Sequence, residues 1–205
     1  MKPLENPYWA AIKNSVTKTG SIPPKYDNLR WRYCNRYTMA VPDPETVAFV
    51  ARHLAPRAIE VGAGTGYWAW LMKQLLIDIL AYDIAPPDRC TTNSYHSPYD
   101  FETCTFLGKL RKTFAPVQVG SPEVLKDHAE RTLFLCWPPY RSPMAVQCLE
   151  HYAGWRLVYL GEGLGDSCAT STFFDRLQKD WHEIEHHWPV QWYRINDRVA
   201  VYERK

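Results

Sequence analysis

Several features that would settle a protein's class at once are missing from this sequence. It has no N-terminal apolar segment of the signal-peptide kind, and no apolar run of roughly 18 residues that could span a bilayer, so we expect a cytoplasmic protein with no membrane partner. The six cysteines, Cys34, Cys90, Cys104, Cys136, Cys148 and Cys168, include no C-x-x-C pair. Neither a zinc knuckle nor a disulfide framework is signalled, and reduced thiols are expected. A lysine or arginine run is absent too, although residues 1–40 carry seven basic groups (Lys2, Lys13, Lys18, Lys25, Arg30, Arg32, Arg36) against Glu5 and Asp27. That leader holds +5 of a net +2, leaving −3 for the remainder. It is able to attract an acidic substrate or nucleic acid, but without a run it reads first as a solvated surface.

With 205 residues, 46% hydrophobic and 22% charged, the chain is long enough for one packed α/β domain and short for two. We expect an N-terminal extension at 1–42, contributing to an acceptor pocket, and a domain at 43–205. Residues 57–84, RAIEVGAGTGYWAWLMKQLLIDILAYDI, organise the rest. A strand-like run at 58–61 leads into Gly62, Gly64 and Gly66, an apolar-periodic helix follows at 67–76, and a second strand at 79–82 closes on Asp83. Glycines at a strand-to-helix turn let the backbone take positive φ and approach a ligand, while the helix N-terminus offers unpaired N–H groups. A carboxylate about 20 residues on, at the tip of the neighbouring strand, suits the two hydroxyls of a ribose. The unit reads as a nucleoside binder.

Dinucleotide folds space these glycines as G-x-G-x-x-G, whereas here they alternate behind Glu60 as E-x-G-x-G-x-G. In that form, with the acid that follows, the stretch resembles the first two motifs of the class I S-adenosyl-L-methionine-dependent methyltransferases. The resemblance implies an α/β fold: an open, mostly parallel seven-stranded sheet with helices on both faces, an antiparallel last strand and an N-terminal helical extension. It also implies a methyltransferase with S-adenosyl-L-methionine as cofactor and S-adenosyl-L-homocysteine as product. Glu60, Gly62, Ala63, Gly64, Gly66, Tyr67 and Trp68 then belong to the first cofactor motif, and Asp83 with Ile84 to the ribose end. Gly120 and Ser121 lie beside the adenine, and Cys136 and Trp137 lie at the exit of the fourth strand. N-terminal elements in this family often fold over the cofactor, which makes Trp31, Tyr33 and Tyr37 candidate walls of the acceptor pocket.

Along the chain, Asn6-Pro7 starts a short helix to about residue 16, Pro23-Pro24 stops it, and a second spans 26–37. Asp43 caps a helix with Pro44 at its first position, running to about residue 54 with Val47, Phe49, Val50 and Leu54 as apolar contacts. Residues 85–115, rich in Pro, Thr, Tyr and Ser, read as an irregular insertion with a helical piece near 101–114, and His96 lies in it. A third strand at 116–119 turns at Gly120-Ser121, and Ser121 caps a helix through residue 128. Thr132–Cys136 carries no charge, as a strand buried on both faces should. A helix at 143–152, a strand at 156–160, a helix at 170–181 and strands at 184–188 and 199–203, joined by a turn at Asn196-Asp197, complete the alternation of a parallel α/β sheet.

Trp137-Pro138-Pro139-Tyr140 resembles the fourth motif of amino-methylating enzymes, in which a polar first residue and the carbonyl of the first proline orient the target amine and the aromatic stacks on it. Trp137 departs from that pattern, since an indole donates but cannot accept. The Pro138 carbonyl and the Tyr140 ring remain candidates for catalysis, with Pro139, His96, Trp31 and Tyr37 as acceptor contacts. An oxygen acceptor needs its proton removed, and Glu162, after the fifth strand, is the favoured base, ahead of Asp166 and His96. These residues point to a small-molecule acceptor before nucleic acid. A nucleic-acid amino methyltransferase, a non-catalytic cofactor-binding module and a nicotinamide-dependent reductase are the alternatives. His182-Glu183-Ile184-Glu185-His186 fits H-E-x-x-H, which binds zinc only on a helix; it falls where the sheet needs its sixth strand, with Pro189 three residues on, so no metal is expected.

Overall fold

Aliphatic stretches uninterrupted by charge become the strands, and the segments between them with apolar residues every three or four positions become the helices. The computed structural model describes residues 3–205, so Lys2 of the basic leader lies outside the described residues. The extension contributes α1 (Pro7–Ile12), β1 (Ser21–Ile22) and α2 (Asp27–Arg36), followed by α3 (Pro44–Leu54). Then come β2 (Arg57–Val61), α4 (Tyr67–Gln74), β3 (Asp78–Asp83), a hairpin of β4 (Tyr99–Asp100) and β5 (Thr105–Phe106), and β6 (Gln118–Val119). The second half is β7 (Thr132–Cys136), α5 (Met144–His151), β8 (Arg156–Gly161), α6 (Ser171–Asp180), β9 (Trp181–His187), β10 (Gln191–Trp192) and β11 (Arg198–Arg204).

Seven strands pair in the order β6-β3-β2-β7-β8-β11-β9. The pairs from β6 through β8 are parallel, and β11 inserts antiparallel to both β8 and β9. Period-two alternation sends Phe134 of β7 into one core layer with Val50, Leu54, Leu71 and Met72 of α3 and α4. Leu133 and Leu135 face the other, with Leu149 of α5 and Phe173 and Leu177 of α6. Both faces are therefore covered. The caps at two helix starts act as expected: the Asn6 side chain accepts from Trp9 N–H, and Asp43 accepts from the N–H groups of Glu45 and Thr46.

The extension is tied to the sheet by aromatic packing. Tyr8 is fully buried, stacks on Tyr33 and Tyr37 at 5.6 and 5.4 Å, and receives a hydrogen bond from the Trp192 indole at 2.9 Å. The Thr65 hydroxyl donates to the Tyr37 carbonyl, so the end of α2 rests on the glycine turn.

Three local expectations are corrected. Residues 101–114 form no helix, because their backbone donors serve other segments: Arg111 N–H bonds the Pro87 carbonyl at 2.7 Å and Phe114 N–H the Thr65 carbonyl at 2.8 Å, with Gly108 at φ +60°. The Phe114 ring packs edge-on against Tyr67 at 4.8 Å. Tertiary contacts override local propensity there. Ser121 makes no capping bond, and Pro122–Asp127 is a 3-10 helix rather than an α-helix. Helix α4 ends at Gln74, and Leu76 turns the chain at φ +62°. As expected, His182 and His186 lie on a strand, β9, where a rise of about 3.3 Å per residue separates them by about 13 Å, too far to share a metal. No cluster of metal-ligating side chains occurs among the described residues.

Candidate active site

The parallel strands deliver their carboxyl ends to one edge of the sheet, and a cavity of about 860 Å³ opens there. Its floor is the turn after β2. Gly62 N–H and Ala63 N–H both bond the Tyr82 carbonyl, at 2.8 and 3.0 Å, which holds the turn against β3. Gly62 and Gly64 have φ of +79° and +52°, and a Cβ at either would strike a neighbour, Met144 Cε at 2.3 Å or the His96 ring at 2.4 Å. The turn thus carries no side chain of its own into the cavity, and the cavity-lining Met144 and His96 pack against it.

Asp83 closes β3 beside it, nearly buried. Its Oδ2 accepts from Gly64 N–H and its Oδ1 from Ala85 N–H, each at 2.8 Å. Each oxygen keeps a further lone pair for a ligand hydroxyl. Glu60 also borders the cavity, and its Oε2 has no hydrogen-bond partner. Burial pushes the Glu60 carboxyl up to about 8, a bond from the Ala69 backbone opposes that, and the Asp83 charge adds to it. The buried, unpartnered acceptor, the bare-backbone cradle and the paired carboxylate oxygens together fit an adenosyl ligand with ribose hydroxyls and an amino-acid end.

A raised folded-state carboxyl pKa has a definite sign. Its favourable contribution is complete below the ordinary value of 4.5 and is lost as pH climbs toward about 8. Stability should therefore fall between pH 5 and 8, each such group contributing on the order of 1 kcal/mol per pH unit. Glu60→Gln should flatten part of that slope in urea unfolding, and an unchanged slope would refute the assignment. Asp197, held near 8 mainly by burial, supplies the remainder with the same sign.

Of the residues expected at the site, Glu60, Gly62, Ala63, Gly64, Asp83, Ile84, Gly120, Ser121, Cys136 and Trp137 border the cavity, as do Trp31, Tyr37, His96, Pro138, Pro139 and Tyr140. Five expectations fail. Gly66 is outside the cavity wall and packs under Ala115 and Val117. Tyr67 and Trp68 are 1% exposed and turn inward from α4, Tyr67 donating its hydroxyl to Asn6 and Trp68 lying edge-on to Phe134. The favoured base, Glu162, is 2% exposed and points away: its Oε1 accepts from Asn196 N–H at 3.0 Å and its Oε2 from Ser167 N–H at 3.2 Å. It pins two loops together. The Pro138 carbonyl stays a candidate: it accepts once, from Ala169 N–H at 3.0 Å, and keeps a second lone pair. Tyr33, the third aromatic of α2, stacks on Tyr8 and Trp192 instead of facing the cavity.

Trp137 sits at φ +49°, and its indole donates to buried Asp197 at 2.7 Å, so it presents a ring to the cavity with its donor already used. The His96 ring lies over Gly64, with Nδ1 3.2 Å from the Asn35 carbonyl. That partner assigns the proton to Nδ1 and leaves Nε2 as the acceptor. Burial holds the His96 pKa below its ordinary value, and the Asn35 carbonyl and Asp83 oppose that.

Sequence reasoning missed Arg30, Thr38, Met39, Asn93, Met144, Gln147, Ser167, Arg194 and Ile195, all of which border the cavity. Arg30, Thr38 and Met39 adjoin Trp31 and Tyr37 in the chain, so adjacency was a usable signal. Met144 and Gln147 occupy the first turn of the helix leaving β7. Nothing local marks Arg194 and Ile195, which arrive only because β11 inserts beside β8.

No protein-family model matches the chain, and no curated protein matches it in sequence. Solved structures do resemble it. Magnesium protoporphyrin IX methyltransferase from Synechocystis PCC 6803, solved with bound S-adenosylmethionine, is 11% identical with a TM-score of 0.52, and all of both chains is covered. Sp1610 from Streptococcus pneumoniae, provisionally described as a tRNA (m1A22) methyltransferase, is 13% identical with a TM-score of 0.50, covering 79% of this chain and 70% of that one. At such identities the likeness concerns the fold, and the fold this chain has is that of the class I, Rossmann-like S-adenosyl-L-methionine-dependent methyltransferases.

Proposed function

We propose that the chain is an S-adenosyl-L-methionine-dependent methyltransferase acting on a small-molecule acceptor. The observation that carries this is the pairing of a bare-backbone turn, Gly62 to Gly64, with Asp83 at the tip of the adjacent strand, in a cavity roomy enough for a nucleoside and a second molecule. In this reading Gly62, Ala63 and Gly64 hold the amino-acid end of S-adenosyl-L-methionine, Asp83 the ribose hydroxyls, and Ile84, Gly120 and Ser121 the adenine. When bound, the cofactor supplies an electrophilic methyl group on a sulfonium.

The chain's residues then have to orient the acceptor and exclude water, which supplies much of the rate in a displacement of this kind. Trp31, Tyr37, Trp137 and Tyr140 bring rings to that task. His96 Nε2 replaces Glu162, which lies outside the cavity wall, as the group available to take an acceptor proton. Amino methylation of nucleic-acid bases is disfavoured, because Trp137 stands where that chemistry needs an acceptor for the amine, and its indole has none and spends its donor on Asp197. The absence of a membrane-spanning helix among the described residues is compatible with this reading.

Titration calorimetry is the direct test. S-adenosyl-L-homocysteine should bind one-to-one and NADH should not bind. The reverse result would replace a methyltransferase with a nicotinamide enzyme.

A further inference from the structure

The arginines of this chain are mostly committed. Arg52, Arg131, Arg156, Arg176 and Arg198 each meet a carboxylate, and Arg111 donates to both oxygens of Asn35. Two arginines of the cavity wall, Arg194 and Arg30, are not among them, and Arg30 is the one set among indoles. It lies on α2, half-buried, and no carboxylate comes within ion-pair distance among the described residues. Its Nε is buried without a hydrogen-bond partner. Its guanidinium instead lies over two indoles, 5.0 Å from the Trp31 ring centroid and 5.9 Å from that of Trp137.

The groups near Arg30 do not balance its charge. The Cys34 thiol one turn along is pushed up to about 12 by burial and is neutral. Asp197 is raised to about 8, mostly by burial, and already accepts from Trp137. Half-buried in the wall and without a carboxylate partner, Arg30 has donors open to an anion in the cavity. Arg194, at φ +58°, adds a second cation to the same wall. The carboxylates that border the cavity, Glu60 and Asp83, belong to the strand tips that form the proposed cofactor end.

We propose that the acceptor is a flat aromatic small molecule bearing an anionic group, and that Arg30, lying against Trp31 and Trp137, is the residue that recognises the charge. This rests on the methyltransferase reading, since it assigns the part of the cavity that the cofactor leaves over. The indole faces supply stacking surface, and their hold on the guanidinium keeps its donors pre-organised for a planar carboxylate or a phosphate. A guanidinium set against two rings suits a small anionic ring, whereas a nucleic-acid strand needs a positive groove that tracks its backbone.

The test uses 2-naphthoate and its uncharged near-isostere 2-naphthamide, titrated into the full chain saturated with S-adenosyl-L-homocysteine. Wild type should bind the naphthoate on the order of tenfold more tightly. Arg30→Gln should erase that preference and Arg30→Lys should keep part of it, both with unchanged affinity for S-adenosyl-L-homocysteine. Equal binding of the two probes by wild type, or a preference that survives Arg30→Gln, overturns the inference while leaving the function reading intact. So does an Arg30-dependent complex with a single-stranded oligonucleotide when the two probes bind alike. Failure of wild type to bind S-adenosyl-L-homocysteine at all overturns the function reading beneath it.

Discussion

Asp83→Asn should weaken binding of S-adenosyl-L-homocysteine by about two orders of magnitude. The native carboxylate accepts two backbone bonds, from Gly64 and Ala85, and in the proposed complex it also accepts from the two ribose hydroxyls. Hydrogen bonds to a charged acceptor contribute about 1.5–3 kcal/mol each. An amide retains one acceptor oxygen but turns an N–H toward either Gly64 or Ala85, so a backbone bond is lost along with at least one ligand bond. The loss of about 3 kcal/mol corresponds to roughly a hundredfold in affinity. Calorimetry at a temperature where the variant is folded separates this from simple destabilisation. Native affinity in folded Asp83→Asn would remove Asp83 from the ligand site.

Gly66→Ala should lower stability by about 2–4 kcal/mol, or on the order of 10 °C in Tm for a chain of this size. Gly66 was expected at the ligand and is found beneath it. At φ +70° it carries the left-handed turn into α4, where a side chain costs roughly 1 kcal/mol. A Cβ there would also lie 2.8 Å from Val117 Cγ2 and 3.0 Å from the Ala115 carbonyl oxygen, and a backbone oxygen cannot give way. Gly64→Ala differs in kind. It carries the same left-handed strain, at φ +52°, but the space its Cβ would need is taken by the cavity-lining His96 ring rather than by backbone, so ligand affinity should suffer along with Tm. Differential scanning calorimetry of the two variants decides the matter. Equal Tm values for Gly66→Ala and wild type would refute the packing role.

Two buried carboxylates show how a residue type was legible but its use was not. Glu162 and Asp83 both follow a sheet strand at its carboxyl end, and from sequence both were candidates to meet a ligand. The difference lies in what surrounds them. Asp83 faces the cavity beside the glycine turn, whereas Glu162 lies buried outside the cavity wall, tying the loops of Ser167 and Asn196. Which side of a strand tip faces the cavity is set by loops that fold back from distant positions. Arg30 was half legible in the same way: Trp31 adjoins it in the chain, but its second indole neighbour, Trp137, meets it only in the fold.

Local chemistry was enough to settle the βαβ unit with its three glycines, the cap at Asp43 and the uncharged strand Thr132–Cys136, because each follows from backbone sterics, capping or burial acting within a few residues, whereas the antiparallel last strand came only with the family resemblance. The path of residues 85–115 was decided by the tertiary structure, since its N–H groups find carbonyls on other segments and its aromatic side chains find partners there. So was the identity of the glycine that packs rather than binds, and the fate of each buried charge. A charge left half out of water takes its meaning from its neighbours, and those neighbours are assembled only when the sheet closes.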